Sequence, residues 1–149
     1  MFAVVKNGRF NGVAYAALTM AIVMHHAQYG ETLAQVDVTP MPKENEDGGW
    51  GFESPTPSQI DAVKAWVNKQ NKADEISKIT VSVDDLVFDG DEASQTLMER
   101  HAKAMVDDNL DVIPWKMADN TLADVTAEQL NQAVLLAAAK QREIVVKYG

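Results

Sequence analysis

Residues 79–91 have the sequence ITVSVDDLVFDGD, in which two short apolar runs flank the pair Asp84-Asp85. In the first run apolar and polar residues alternate, and this period of two is typical of a strand with one buried face. The aspartate pair favours a turn, after which residues 86–88 return as a second strand. The segment therefore predicts a β-hairpin, and Asp89-Gly90-Asp91 at its end predicts the start of a helix.

The helix expected after Asp91 ends near Asp108-Asn109. Its inward face is predicted from residues at i, i+4, i+7 and i+8, namely Leu97, His101, Ala104 and Met105. Residues 112–117 and 121–125 then flank the turn-rich triplet Ala118-Asp119-Asn120. Extended runs on both sides of such a triplet predict a second hairpin.

A long last helix is expected to begin after Thr126 and to run towards Lys147. Thr126 and Gln129 have the spacing of a capping box, in which each side chain satisfies a free backbone amide of the other residue. The main apolar face consists of Leu130, Ala133, Val134, Ala137, Gln141, Ile144 and Val145, and it is widened by Leu135, Leu136 and Ala139. A helix that is apolar on more than one side is either deeply buried or shared with another chain. Leu135 and Leu136 are therefore candidate interface residues.

The N-terminal residues predict a further hairpin and an apolar helix. Asn7-Gly8 stands between two short extended runs and is a pair that type I′ turns favour. Residues 13–24 are almost wholly apolar, but the run is shorter than the roughly 18 to 20 residues that cross a bilayer. No convincing signal-peptide cleavage site follows it. We expect a buried helix, packed in the core or against another subunit, and the candidate interface residues here are Val13, Tyr15, Leu18 and Ile22.

Residues 38–56 differ in character from their neighbours, with two prolines, an acidic run at residues 44–47 and the sequence GGWGF at residues 48–52. A connection of this length is expected to be functional or to act as a hinge, because loops in compact domains are usually shorter. Trp50 and Phe52 either pack back on the core or anchor a neighbouring subunit, since aromatic residues often serve as interface anchors.

A connecting helix is expected to begin after Thr56. Thr56 is a suitable N-cap, Pro57 suits the first helical position, and Gln59 completes a capping box. The helix is predicted to run to about Lys72, with an inward stripe that consists of Ile60, Val63 and Val67.

The fold class that these patterns predict is α+β. A C-terminal domain over residues 76–149 contains two hairpins packed with two helices. A connecting helix over residues 58–75 precedes it, and residues 1–57 form an N-terminal attachment region with the apolar helix and the Gly/Trp loop. The predicted core includes Ile79, Val81, Val83, Phe88, Leu97, Ile113, Trp115, Leu122, Leu130, Val134 and Ala137.

The composition limits the classes of partner and of chemistry. Among the 149 residues, 13 Lys and Arg stand against 22 Asp and Glu, and the net charge of −9 disfavours nucleic acids and anionic membranes as partners. The chain has no cysteine, which excludes disulfides, thiolate nucleophiles and cysteine-ligated metals.

No catalytic, cofactor-binding or metal-ligating residue is assigned. His25-His26 are adjacent on a predicted helix and point about 100° apart, so the pair does not chelate one metal by itself. The aspartates within residues 84–91 do not follow the order of a calcium-binding loop. Gly48-Gly49-Trp50-Gly51 lacks the Lys-Ser or Lys-Thr pair of a phosphate-binding loop. An enzyme is therefore not expected.

Three segments in the C-terminal half carry a family resemblance. Residues 79–84 and 87–94 form a strand, a turn and a Phe-Asp-Gly-Asp segment, residues 115–121 are Trp-Lys-Met-Ala-Asp-Asn-Thr, and residues 125–130 open the last helix. This ordered set resembles a small domain of unknown function that recurs in proteins of tailed bacteriophages and prophages, commonly beside tail or tail-fibre genes. The most specific part is similar to the family's Trp-Lys-x-Ala-Asp-Asn core. Asp85 departs from the pattern, since a glycine is expected there.

The resemblance implies a phage tail context and no catalysis. On this basis we expect a non-enzymatic structural component of the virion, at the tail tip, the baseplate or the fibre attachment region, made in the bacterial host cytoplasm. Its expected partners are other tail proteins and copies of itself, as a trimer in a fibre or a hexamer in a tail ring. The alternative is a tail-fibre assembly chaperone that is not retained in the virion.

Overall fold

Turn and capping residues place most helices and strands where the sequence predicts them. In the computed structural model, which describes residues 1–149, nine strands and four helices form an α+β fold, so the predicted class is confirmed. In chain order the elements are β1 (Phe2–Lys6), β2 (Arg9–Tyr15), α1 (Met20–Ala27), β3 (Thr32–Gln35), β4 (Pro42–Glu44), β5 (Trp50–Phe52), α2 (Pro57–Ser77), β6 (Thr80–Val83), β7 (Leu86–Asp89), α3 (Glu92–Asp107), β8 (Ile113–Lys116), β9 (Leu122–Val125) and α4 (Ala127–Tyr148). Contacts divide the chain into two units, Met1–Asn71 and Lys72–Gly149.

The first unit contains a three-stranded antiparallel sheet in the order β2-β1-β3. The predicted hairpin of β1 and β2 is confirmed, and its turn residues Asn7 and Gly8 have φ values of 51° and 75°. Both values are positive, as a type I′ turn requires. The strand β3 was not predicted, because its four residues are too few to show a clear period. The core of this unit consists of Met1, Ala3, Ala14, Val36, Val63 and Val67.

The buried helix predicted over residues 13–24 is wrong. β2 continues to Tyr15, and α1 begins only at Met20, where the Thr19 hydroxyl accepts a hydrogen bond from the amide of Ile22 at 3.2 Å. The only buried residue of α1 is His26. A continuous apolar run does not distinguish one helix from a strand followed by a helix, and here the N-cap determines where the helix begins.

The connecting helix α2 begins at the predicted position. The amide of Gln59 donates to the Thr56 hydroxyl at 3.2 Å, and the amide of Thr56 donates to the Gln59 side chain at 3.0 Å, which confirms the capping box. The helix ends at Ser77, later than the predicted end near Lys72.

The second unit contains both predicted hairpins. β6 pairs with β7 around a turn in which Asp84 and Asp85 have φ values of 49° and 64°, and β8 pairs with β9. The Asp91 carboxylate accepts a hydrogen bond from the amide of Ser94 at 2.7 Å and caps α3. Thr126 opens α4 with a complete capping box. The short connections therefore follow from local residue preferences.

The core of the second unit lies between these hairpins and α3 and α4. Seven predicted core residues are buried, namely Ile79, Val81, Val83, Phe88, Leu130, Val134 and Ala137, while Ile113 and Trp115 are half-buried and pack against the same core. Six further core residues are absent from the predicted core, namely Met98, Ala102, Met105, Met117, Val125 and Ala133, although Met105 and Ala133 were expected on inward helix faces.

Two predicted core residues, Leu97 and Leu122, are exposed. α3 carries two stripes of equal helical spacing, and the stripe of Met98, Ala102 and Met105 faces the core rather than that of Leu97 and His101. Leu122 is 75% exposed, because inward and outward residues alternate along β9 and Val125 is the buried one. Helical or strand period alone does not decide which of two stripes turns inward.

Candidate interaction surfaces

Hydrogen bonds between polar side chains hold α1 against the sheet of the first unit. The Tyr15 hydroxyl lies 2.9 Å from Nε2 of His26, and Nδ1 of His26 lies 2.6 Å from Oε2 of Glu31. Asn11 donates from Nδ2 to the other carboxylate oxygen of Glu31 at 3.2 Å. The hydrogen bond from His26 lowers the pKa of Glu31, with smaller contributions in the same direction from Asn11 and Lys6 and an opposing one from burial. His26 therefore has a structural role.

The large apolar side chains of α1 point outward, because the helix turns His26 towards the sheet. Met20 is 73% exposed, and Val23 and Met24 are also exposed. Of the predicted interface residues in this segment, Val13 is exposed, and Tyr15, Leu18 and Ile22 are half-buried. Met20 and Met24 were not among the predicted interface residues, because the helix was expected to be buried.

Trp50 and Phe52 lie on a hairpin that contributes no residue to the core of the first unit. β4 pairs with β5 so that Glu44 is opposite Trp50 and Pro42 is opposite Phe52. Because paired residues and residues two apart share a face, the two aromatic side chains lie on the same face of the hairpin. Trp50 is 73% exposed and Phe52 is also exposed, so neither packs back on the core. Two-stranded hairpins without a packed face are marginally stable in water.

The helix α4 has a buried apolar side and also carries exposed apolar side chains elsewhere on its surface. Its inward side consists of Leu130, Ala133, Val134 and Ala137, all of which are buried. On the outward side Leu135 is 70% exposed and Leu136 is also exposed. Val145, predicted on the inward face, is exposed as well. Val146, which was not predicted as an interface residue, has an exposed fraction of 81%.

A groove of about 400 Å³ lies between α3 and β8 in the second unit. Leu97 and His101, which were predicted to be buried, line it together with Trp115 and Lys116 of the Trp-Lys-x-Ala-Asp-Asn motif. The imidazole of His101 packs edge to face on the Trp115 ring, with 5.4 Å between the ring centroids. The motif tryptophan therefore covers the core on one side and forms the groove on the other.

The remaining motif residues build the turn between β8 and β9. The Asp119 carboxylate accepts hydrogen bonds from the hydroxyl and the amide of Thr121 at 2.6 and 2.9 Å, and these bonds lower the pKa of Asp119. Asn120 adopts a positive φ of 67°, a conformation that asparagine tolerates well. The amide of Ala118 donates to the carbonyl of Val87 at 2.9 Å and joins this turn to β7. The polar part of the motif therefore has a structural role.

The structure contains no group of three or more His, Asp and Glu side chains placed to hold a metal ion. None of its helices combines the length and the apolar character needed to cross a membrane.

Residues 57–148 match the family described as a domain of unknown function, DUF4376, and the chain belongs to this family. The matched range includes α2, both hairpins of the second unit, α3 and α4. No curated protein and no solved structure matches the chain.

Proposed function

We propose that the chain is a non-enzymatic structural component of a tailed-phage virion, located at the tail tip, the baseplate or the fibre attachment region. It is made in the bacterial host cytoplasm and acts by packing against other tail proteins and against copies of itself. Support for the phage setting comes from the resemblance of the C-terminal half, and above all from the motif at residues 115–121.

The observation that supports the packing role is the exposure of large apolar side chains on three separate elements. Met20 on α1, Trp50 on β5 and Val146 on α4 each leave most of their surface in contact with solvent. Contiguous exposed apolar surface marks interaction sites, and aromatic side chains that become buried dominate the energy of many interfaces. A partner would stabilise the hairpin of β4 and β5 the most, because the face with Trp50 and Phe52 packs on no core.

The substitution Trp50→Ala, introduced into the phage that encodes the chain, tests this role. We expect fewer complete tailed particles and lower infectivity, with an unchanged far-UV circular dichroism spectrum of the purified variant. Met41→Ala is the matched control, because Met41 is also exposed on the same loop but carries no aromatic ring. Normal yields of infectious particles from the Trp50→Ala phage would contradict the role of this hairpin.

The second candidate is a tail-fibre assembly chaperone, and the exposed methionines of α1 favour it. Met20 and Met24 have flexible, polarisable side chains that adapt to differently shaped partners, as transient binding surfaces require. A chaperone is found bound to fibre subunits in the infected cell and is missing from finished particles. The composition of purified particles therefore separates the two candidates.

A further inference from the structure

The face of the β4–β5 hairpin that carries Trp50 and Phe52 also carries a carboxylate. In the pairing of the two strands, Glu44 is opposite Trp50 and Pro42 is opposite Phe52. These four side chains share one surface, because paired residues and residues two apart lie on the same side of a sheet. We call this surface the aromatic face. All four residues are exposed, and Glu44 is the one charged residue among them.

The backbone hydrogen bonds of the hairpin show how close Glu44 lies to Trp50. The amide of Asn45 donates to the carbonyl of Gly49 at 2.7 Å, so the next pair along the hairpin is a hydrogen-bonded one. Hydrogen-bonded and non-hydrogen-bonded pairs alternate in an antiparallel ladder. Glu44 and Trp50 therefore form a non-hydrogen-bonded pair, in which the α-carbons are about 4.5 Å apart and the side chains are closest.

The opposite face of the hairpin contains the segment's only cation. Lys43 pairs with Gly51, and both residues alternate with those of the aromatic face. A β-carbon added to Gly51 would lie 3.2 Å from Oδ1 of Asn45, so the Asn45 side chain also lies on this opposite face. Neither Lys43 nor Glu44 takes part in any of the three ion pairs within the chain. The charge of Glu44 is therefore available to a partner.

The charges around the aromatic face indicate the chemistry of that partner. Against the one lysine, residues 41–53 contain four acidic residues, namely Glu44, Glu46, Asp47 and Glu53. This excess of negative charge attracts cations and repels phosphates and anionic lipids. An arginine side chain matches the pair of Trp50 and Glu44, because its planar cation stacks on an indole ring and its N–H groups donate to a carboxylate.

We propose that the aromatic face binds a basic segment of another protein, with an arginine stacked on Trp50 and paired with Glu44. Phe52 and Pro42 extend the contact to the apolar stem of the arginine. The inference rests on the proposed function, since that function has this hairpin pack against a partner. Because the contact is solvent-exposed and depends on charge, binding is weaker at high salt.

A titration of the ¹⁵N-labelled chain with the peptide acetyl-Gly-Arg-Gly-Arg-Gly-amide, followed by NMR, tests the proposal. The indole N–H signal of Trp50 is identified by its loss from the spectrum of Trp50→Ala. We expect the peptide to shift this signal. The same peptide with neutral citrulline in place of arginine is expected to bind about two- to five-fold more weakly, as the loss of an exposed cation–π contact predicts. This comparison of peptides needs no substitution in the chain.

The substitution Glu44→Gln tests the ion pair. It is expected to weaken binding of the arginine peptide by about two- to five-fold, which is the range of a favourable exposed ion pair. Glu53→Gln is the matched control, because it removes the same charge from the same hairpin. The amide of Glu53 donates to the carbonyl of Met41, and its position next to Phe52 places its side chain on the opposite face. We expect a smaller loss for this variant.

Equal binding of the two peptides would assign the aromatic face to an uncharged partner and overturn the proposal. Equal losses for Glu44→Gln and Glu53→Gln would overturn it too, and a Trp50 signal that shifts with the concentration of the chain alone would indicate a second copy instead. The amide signals of β4 and β5 show that the hairpin of each variant is formed. If Trp50→Ala impairs particle assembly but the arginine peptide does not bind, the proposed function stands and the basic partner is wrong.

Discussion

Gly90 lies where the end of β7 meets α4 and leaves no room for a side chain. The residue is buried, and its amide donates to the carbonyl of Ile79 at 2.7 Å. A β-carbon added at this position would lie 2.6 Å from Cγ2 of Ile79 and 2.9 Å from the β-carbon of Ala137. We therefore expect Gly90→Ala to push the first hairpin of the second unit away from α4.

The size of the loss in stability depends on how far the atoms that the new β-carbon meets can move away. Ile79 is β-branched and buried, so its Cγ2 has little rotational freedom, and the β-carbon of Ala137 moves only with the helix backbone. Overpacking of a core costs about 1–3 kcal/mol. Alanine also lowers the entropy of the unfolded chain, which offsets about 0.4–1 kcal/mol. The midpoints of the two ranges leave a net loss of about 1.3 kcal/mol, and in a unit of the size of Lys72–Gly149 each kcal/mol lowers the Tm by about 4–8 °C.

Thermal and urea unfolding followed by circular dichroism measure this loss. Gly51→Ala is the matched control, because the nearest atom to a β-carbon there is Oδ1 of Asn45, at 3.2 Å, and that exposed side chain can move away. Its expected effect is within about 0.5 kcal/mol. A Gly90→Ala variant as stable as the unsubstituted chain would refute the close approach between β7 and α4.

Three further substitutions test the inward stripe of α3 and the contact between His26 of α1 and Glu31. In urea titrations, Met98→Ala is expected to lower the free energy of unfolding by about 2–5 kcal/mol, because its side chain is buried. Leu97→Ala is expected to lower it by only about 0.5 kcal/mol, because Leu97 is exposed. A larger loss for Leu97→Ala than for Met98→Ala would place Leu97 in the core. The pKa of Glu31 is lowered in the folded chain. Its contribution to stability is therefore present above its ordinary pKa of about 4.5 and is lost as the pH falls through the lower folded value. Glu31→Gln is therefore expected to reduce the loss of stability between pH 7 and pH 3, and an unchanged acid dependence would show that the contact with His26 does not influence the titration.

Features encoded by neighbouring residues were predictable from the sequence. The pairs Thr56 with Gln59 and Thr126 with Gln129 form their capping boxes within one helical turn. Asn7-Gly8 forms its predicted turn for the same reason, since the backbone conformation depends on the two residues themselves. These signals needed no knowledge of the rest of the chain.

Features that depend on distant contacts were not predictable in the same way. The choice between the stripes of Leu97 and Met98 depends on how α3 meets the core, and both stripes have the same period. The outward Met20 and Val146 were missed because an apolar residue on a helix is more often buried, and only the packing of the other residues shows that these two are not.

The most direct test of the central claim is quantitative mass spectrometry of purified particles from the phage that encodes this chain, with its copy number measured against the major tail protein. We expect the chain to be present at a constant number per particle, in a multiple of three or six, as tail symmetry requires. Its absence from particles, together with its recovery on fibre subunits from infected cells, would contradict the structural role and support the chaperone.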